Sequence, residues 1–137
     1  DDVIGPDELE AVAAAQALQF ESGDALLIRT GWMRTWSGDQ RTFHAQQPGI
    51  DLAAAEWAGE NEIALLGADN SAVECFPVKD DFLPVHREFL RNQGGYLLEL
   101  LDIEQLAADG VHEFLFALAP LNIKLGLGSP VTPLAIA

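Results

Sequence analysis

The sequence is short of several things, and each shortage closes a route. It has one cysteine, Cys75, so no internal disulfide can form, and this usage fits a reducing, cytoplasmic compartment. Beside Val73 and Phe76, that thiol reads as a small core residue rather than a nucleophile. Basic residues number 7 against 22 acidic ones, a formal charge of −15. They are scattered (Arg29, Arg34, Arg41, Lys79, Arg87, Arg91, Lys124) and form no stripe. Such a surface repels phosphate backbones and anionic lipid, so neither nucleic acid nor a membrane surface is an expected partner. No apolar run approaches the roughly 18–20 residues of a spanning helix. The opening Asp1-Asp2-Val3-Ile4-Gly5 has neither the basic start nor the apolar stretch of a secretion signal. The first residue is not Met, which points to trimming, cleavage or a split gene upstream.

Common catalytic signatures are missing too. There is no P-loop, no Gly-x-Gly-x-x-Gly behind a strand and no Gly-x-Ser-x-Gly elbow. Gly126-Leu127-Gly128-Ser129 looks like a phosphate cradle only superficially, because no helix follows whose N-terminus could bind the anion. It reads as a turn. No internal repeat or low-complexity linker interrupts the chain.

What remains is enough for one folded domain. Hydrophobic residues make up 49% of the 137 positions and are spread along the length, which outweighs the charge imbalance as a sign of a packed core. Gly5-Pro6-Asp7-Glu8 announces a helix, with proline at its first position and acids where the helix dipole favours them. Val12 and Leu18 mark its apolar side and it ends near Leu18. Ala25-Leu26-Leu27-Ile28 and Ile63-Ala64-Leu65-Leu66-Gly67 are short continuous apolar runs, the pattern of strands buried on both faces. Between them, residues 30–49 read as a long polar and aromatic loop, and residues 51–57 as a helix capped by Asp51.

Pro84 starts a third helix that Gly94-Gly95 ends, and residues 96–101 are strand-like. Asp102 with Gln105 resembles a capping box for a short helix. His112 to Ala119 alternates with Phe114, Phe116 and Leu118 on one side, and Val131 to Ile136 forms a last strand broken by Pro133. Strands alternating with helices predict an α/β layer structure. The final strands follow each other without a helix, so part of the sheet is expected to be antiparallel or mixed.

Two residues stand out chemically. His86 lies on the apolar face of the third helix, with Phe89 and Leu90 three and four positions on. Such a histidine is either a core residue bonded to a carbonyl or a ligand. Glu99 is a carboxylate inside a run otherwise made of Tyr and Leu. It needs a cation, a donor or an exit to solvent at the strand end. A metal ion would satisfy both, since imidazole and carboxylate are ligands for zinc and manganese. Trp32, directly after a buried strand, is placed to line a pocket or a subunit contact, or to cap the sheet. His44 reads as a solvated loop residue and His112 has no role.

The order of segments carries a resemblance. Residues 23–32 (GDALLIRTGW) are followed by 67–74 (GADNSAVE), Pro84-Val85-His86, Glu99-Leu100-Leu101, residues 113–116 (EFLF) and 128–136 (GSPVTPLAI). This series resembles the C-terminal half of the cyclase family of metal-dependent hydrolases, which includes bacterial kynurenine formamidase and isatin hydrolase. The resemblance implies a swivelling β/β/α fold with a mixed sheet and flanking helices, assembled as a homo-oligomer. It implies hydrolysis of an amide, lactam or related bond of a small molecule with a divalent metal, Zn or Mn. It places His86 and Glu99 where the family has a later histidine and glutamate: Glu99 as a metal ligand, His86 as a metal ligand or catalytic proton carrier. Trp32 then becomes a substrate-binding candidate.

The family's His-x-x-x-His-x-Asp metal motif is nowhere in this sequence, which has three histidines in all. Residues 1–137 are therefore expected to be the C-terminal part of a single cyclase-family domain, inactive alone. The missing N-terminal half or a partner chain would complete it. The alternative is a non-catalytic assembly or small-molecule-binding module that keeps the fold without its metal.

Overall fold

The computed structural model describes residues 2–38, 40–78 and 81–137; Asp1, Asp39, Lys79 and Asp80 lie outside it. Its centre is a parallel three-stranded sheet of β2 (Ala25–Ile28), β4 (Leu65–Ala68) and β5 (Tyr96–Leu98), in the order β2-β4-β5. Ala25 pairs with Leu65, and Leu65 in turn with Tyr96. Side chains alternate between two cores, as the pleat requires. Leu26, Leu66, Ala68 and Leu97 face one core, while Ala25, Leu27, Leu65 and Leu98 face the other.

The first core is closed by α3 (Leu52–Glu60) and by a wide-turn helix over His86–Asn92. Asp51 caps α3 by accepting from the Ala54 amide at 2.8 Å, as its residue type predicts. Ala54, Ala55 and Ala58 are wholly buried; their small side chains let α3 approach Val85 and Phe89 closely. A short helix, α1 (Pro6–Ala15), adds Leu9 to this core. Its buried side is Leu9 and Ala13, whereas Val12 is 48% exposed. The face buried against the core is thus rotated by one residue from the expected one, and the helix ends at Ala15, short of Leu18.

The second core takes Leu106 from α4 (Glu104–Ala108) and Phe116, Leu118 and Val131 from the C-terminal segment. The expected capping box of α4 does not form: Ile103 stands at the N-cap, Asp102 accepts from the Glu104 amide at 3.4 Å, and the Gln105 side chain donates to Asp109 instead. Glu104 instead holds the Arg29 guanidinium with two hydrogen bonds of 2.9 Å. Strands β6 (Leu115–Ala117) and β7 (Leu134–Ile136) form an antiparallel ribbon. Antiparallel pairing was anticipated from the absence of a helix between them, but it forms a separate two-stranded sheet and not part of the central one. A small parallel pair, β1 (Val3–Ile4) and β3 (Gly49–Ile50), completes the fold.

Residues 30–49 are more structured than a loop. They hold a 3₁₀ turn at Trp32–Thr35 and a helix, α2 (Gln40–Ala45), around a buried Phe43. Gly49 passes so close to the main chain of Glu74 that a Cβ there would collide with its carbonyl carbon. Among the described residues no helix is long and apolar enough to cross a membrane.

Candidate functional site

The carboxyl ends of β4 and β5 lead into two turns, and His86 lies against both. In parallel α/β sheets this end of the strands is where ligands collect. His86 Nδ1 lies 2.6 Å from Oε1 of Glu74, a wholly buried carboxylate, and its Nε2 lies 3.3 Å from Oε1 of Glu99. The second oxygen of Glu74 accepts from the Val85 amide at 3.1 Å. A carboxylate can only accept, so the short contact puts a proton on Nδ1 and turns Nε2 toward Glu99.

The hydrogen bond to Glu74, and next the one to Glu99, raise His86 to a pKa of about 9, against the opposing pull of burial. At neutral pH the free imidazole ring is a cation between two carboxylates. Glu99 itself has left the strand, which ends at Leu98, and its side chain is 38% exposed. The carboxylate in an apolar run is thus accommodated at a strand end, within reach of the histidine.

Glu74 had no role in the sequence reading. Its signal was a carboxylate between Val73 and Cys75-Phe76 with no basic residue beside it. Its partner is twelve positions away, so no local periodicity could pair them. Burial pushes the neighbouring Cys75 thiol up, away from the reactive thiolate, in keeping with a packing role.

Asp69 also came unannounced. It is wholly buried at the end of β4 and accepts from the Thr30 amide (2.9 Å), the Thr30 hydroxyl (2.6 Å) and the Gly31 amide (2.7 Å). It thereby ties down the chain leaving β2, from which Trp32 projects. Trp32 stands in an aromatic nest: its indole N–H donates to the Phe43 carbonyl at 3.1 Å and its ring stacks on Phe43. With Arg34, Thr35, Ser37, Gly38, Thr42 and Phe43 it lines a hollow of about 310 Å³. His44 is exposed and makes edge contacts with Trp36 and Phe43; His112 is exposed.

The donor set suits one side of a metal shell. An imidazole whose far nitrogen donates to a carboxylate is the arrangement that metal-bound histidines use. Two ligands each about 2.0–2.2 Å from a tetrahedral ion stand about 3.4 Å apart, close to the 3.3 Å between Nε2 and Glu99. A full shell is another matter: among the described residues no group of three or more His, Cys, Asp or Glu could hold an ion.

Comparisons with known proteins agree with this architecture. The crystal structure of a novel cyclase is 35% identical with a TM-score of 0.87, the match covering 98% of this chain and 47% of that one. An isatin hydrolase bound to the product analogue thioisatinate is 22% identical (TM-score 0.82; 97% of this chain, 52% of that one). Isatin hydrolase A from Ralstonia solanacearum is 24% identical (TM-score 0.77; 97% and 52%). The chain therefore spans about half the length of these proteins, and the two isatin hydrolases speak for the fold alone. No curated protein sequence matches it. The Cyclase family profile matches residues 1–75, a stretch that ends just after Glu74 and covers more than half of the 137 residues. The chain belongs to the Cyclase family.

Proposed function

We propose that this chain forms one side of the active site of a hydrolase that cleaves an amide, lactam or related C–N or C–O bond of a small molecule with the help of a divalent metal. The observation that carries the reading is His86, held by buried Glu74 through Nδ1 and facing Glu99 through Nε2. In this reading Nε2 and Glu99 hold the ion, Zn or Mn. When bound, such an ion polarises a carbonyl and lowers the pKa of water enough to supply a nucleophile at neutral pH. The chain's own residues do the rest. Glu74 fixes the tautomer and the tilt of the ring. Where Nε2 of His86 is not a ligand, the positive charge of a nearby ion would favour the neutral ring, and that ring would take a proton from the nucleophile and return it to the leaving group. Trp32 offers an aromatic wall to the substrate.

The remaining ligands belong to the other half of the same domain or to a partner chain, in an assembly of several copies. The similar structures, a novel cyclase and isatin hydrolases about twice as long, support that division. The test is turnover of amide and lactam substrates by an assembly containing both halves. Activity should vanish on chelation and return with Zn or Mn; full activity in the metal-stripped assembly would end the proposal. The isolated chain should retain no stoichiometric metal through dialysis, as elemental analysis would read. A second reading, a non-catalytic assembly module, is favoured by the apolar surface of the C-terminal ribbon, where Leu115, Leu134 and Ile136 are all more than half exposed. Turnover in the complete assembly separates the two.

A further inference from the structure

The two carboxylates reach His86 from turns with the same backbone anomaly. Val73, just before Glu74, has φ +62°, and Leu100, just after Glu99, has φ +58°. Positive φ is unfavourable for any residue with a Cβ and rarest for a branched one such as valine. At Val73 the chain closes a three-residue turn, the Glu74 amide donating to the Ala72 carbonyl at 2.6 Å. With a positive φ at its centre, such a turn is rare and strained. Conformations of this kind persist only where surrounding bonds over-determine them.

One residue supplies bonds to both turns. Asn70 is wholly buried. Its Oδ1 accepts from the Val73 amide at 2.7 Å and from the Ala72 amide at 3.3 Å. Its Nδ2 donates to the Pro48 carbonyl at 2.7 Å and to the Val73 carbonyl at 3.4 Å. Its own main-chain carbonyl accepts from the Leu100 amide at 2.8 Å. The side chain thus fastens the turn that delivers Glu74, and the main chain fastens the one that delivers Glu99.

We infer that Asn70 is a positioning residue that sets the spacing of Glu74 and Glu99 about His86. It touches neither His86 nor any reacting atom; it acts through the two turns. The inference rests on the reading of His86 and Glu99 as working groups. It deepens that reading by placing the control of their geometry on a residue outside the ion-pair cluster.

The test compares Asn70→Ser with Asn70→Ala in the full 137-residue chain. The two differ by one oxygen, and a serine hydroxyl can accept from the backbone two or three positions on, more weakly than asparagine. The readout is the His86 Nδ1 proton by NMR, which a hydrogen bond to buried Glu74 slows in exchange and moves downfield. His44 and His112 are exposed and exchange freely. Asn70→Ala should lose this resonance and Asn70→Ser should keep it. If Asn70 were only a space-filler, the two variants would behave alike, and that result overturns the inference. Should both variants unfold, amide exchange in the wild-type chain decides. Amides of Val73 and Leu100, both bonded to Asn70, should be protected to within about tenfold of each other, and a difference of a hundredfold or more overturns the common hold. None of these readouts needs metal, substrate or the other half. Failure here is therefore distinct from failure of the hydrolase proposal, which turnover and metal dependence decide.

Discussion

The turn beneath His86 and the C-terminal ribbon are built on opposite principles. In the turn, Gln47, Asp69, Asn70 and Glu74 are buried polar groups, and none of the buried side-chain nitrogens or oxygens among the described residues lacks a partner. Gln47 alone holds the Glu74 carbonyl at 2.8 Å through its amide nitrogen and the Ser71 hydroxyl at 2.6 Å through its oxygen. The ribbon and the segment joining its two strands turn apolar side chains outward, with Leu125 at 92% and Leu127 at 101% exposure. A satisfied polar network in a dry interior specifies one arrangement, because each unpaired group would be costly. Exposed leucines specify nothing until something covers them. The site end of the molecule therefore carries its own geometry, and the ribbon end does not.

The largest effect that would break this contrast comes from the core under the site. Phe89 is buried between α3 and the turn, with Gly95 against its ring. Phe89→Ala should cost about 3–5 kcal/mol in denaturant unfolding, and a loss below about 1 kcal/mol would mean that the core is not what holds the site helix.

A smaller effect concerns pH, in the metal-free chain. The folded pKa of His86, about 9, lies above the ordinary value of 6.5. A raised histidine pKa stabilises the fold while the ring is charged in both states, that is below pH 6.5, and the gain is lost as pH rises through 9. At 1.36 kcal/mol per unit the span is about 3 kcal/mol. Stability of wild type and His86→Gln followed from pH 6 to 10 should converge at the alkaline end. Parallel curves would show that the histidine is not held as a cation.

The smallest effect belongs to the ribbon region. Leu125→Ser and Leu127→Ser should each change the stability of the isolated chain by less than about 0.5 kcal/mol. A loss comparable to Phe89→Ala would place these residues in a packed core and remove the contrast.

Much of the sheet was legible in the sequence, because a strand buried on both faces must be a short unbroken apolar run. Ala25–Ile28 matches β2 residue for residue, and the run 63–67 differs from β4 by only one or two positions at its ends. The alternation of Phe114, Phe116 and Leu118 likewise survives as three half-buried positions in and around β6. The region 30–49 was not legible. Its two short helices are set by packing around Phe43, whereas the spacing of Trp32, Trp36 and Phe43 would suit one face of a single continuous helix that the chain does not form.

At the site, His86 and Glu99 were visible because the one has Phe89 and Leu90 three and four positions on along a helix and the other sits in an apolar run. Glu74, Asp69 and Asn70 were not, since their meaning lies in side-chain bonds that reach residues as far as 12, 39 and 22 positions away. Such pairings are made by the topology and leave no local pattern.

The central claim is that His86 and Glu99 together form one side of a hydrolytic metal site, and Glu99→Gln in an assembly containing both halves tests it most directly. Glutamine keeps the shape and removes the charge, so it neither neutralises an ion nor accepts a proton as a carboxylate does. We expect turnover to fall at least about 100-fold and bound metal to fall with it, with the melting temperature nearly unchanged. Glu99 is 38% exposed at a strand end, so as a mere rim residue it would lose little on substitution. Near-normal turnover and metal content in the Glu99→Gln assembly would contradict the account.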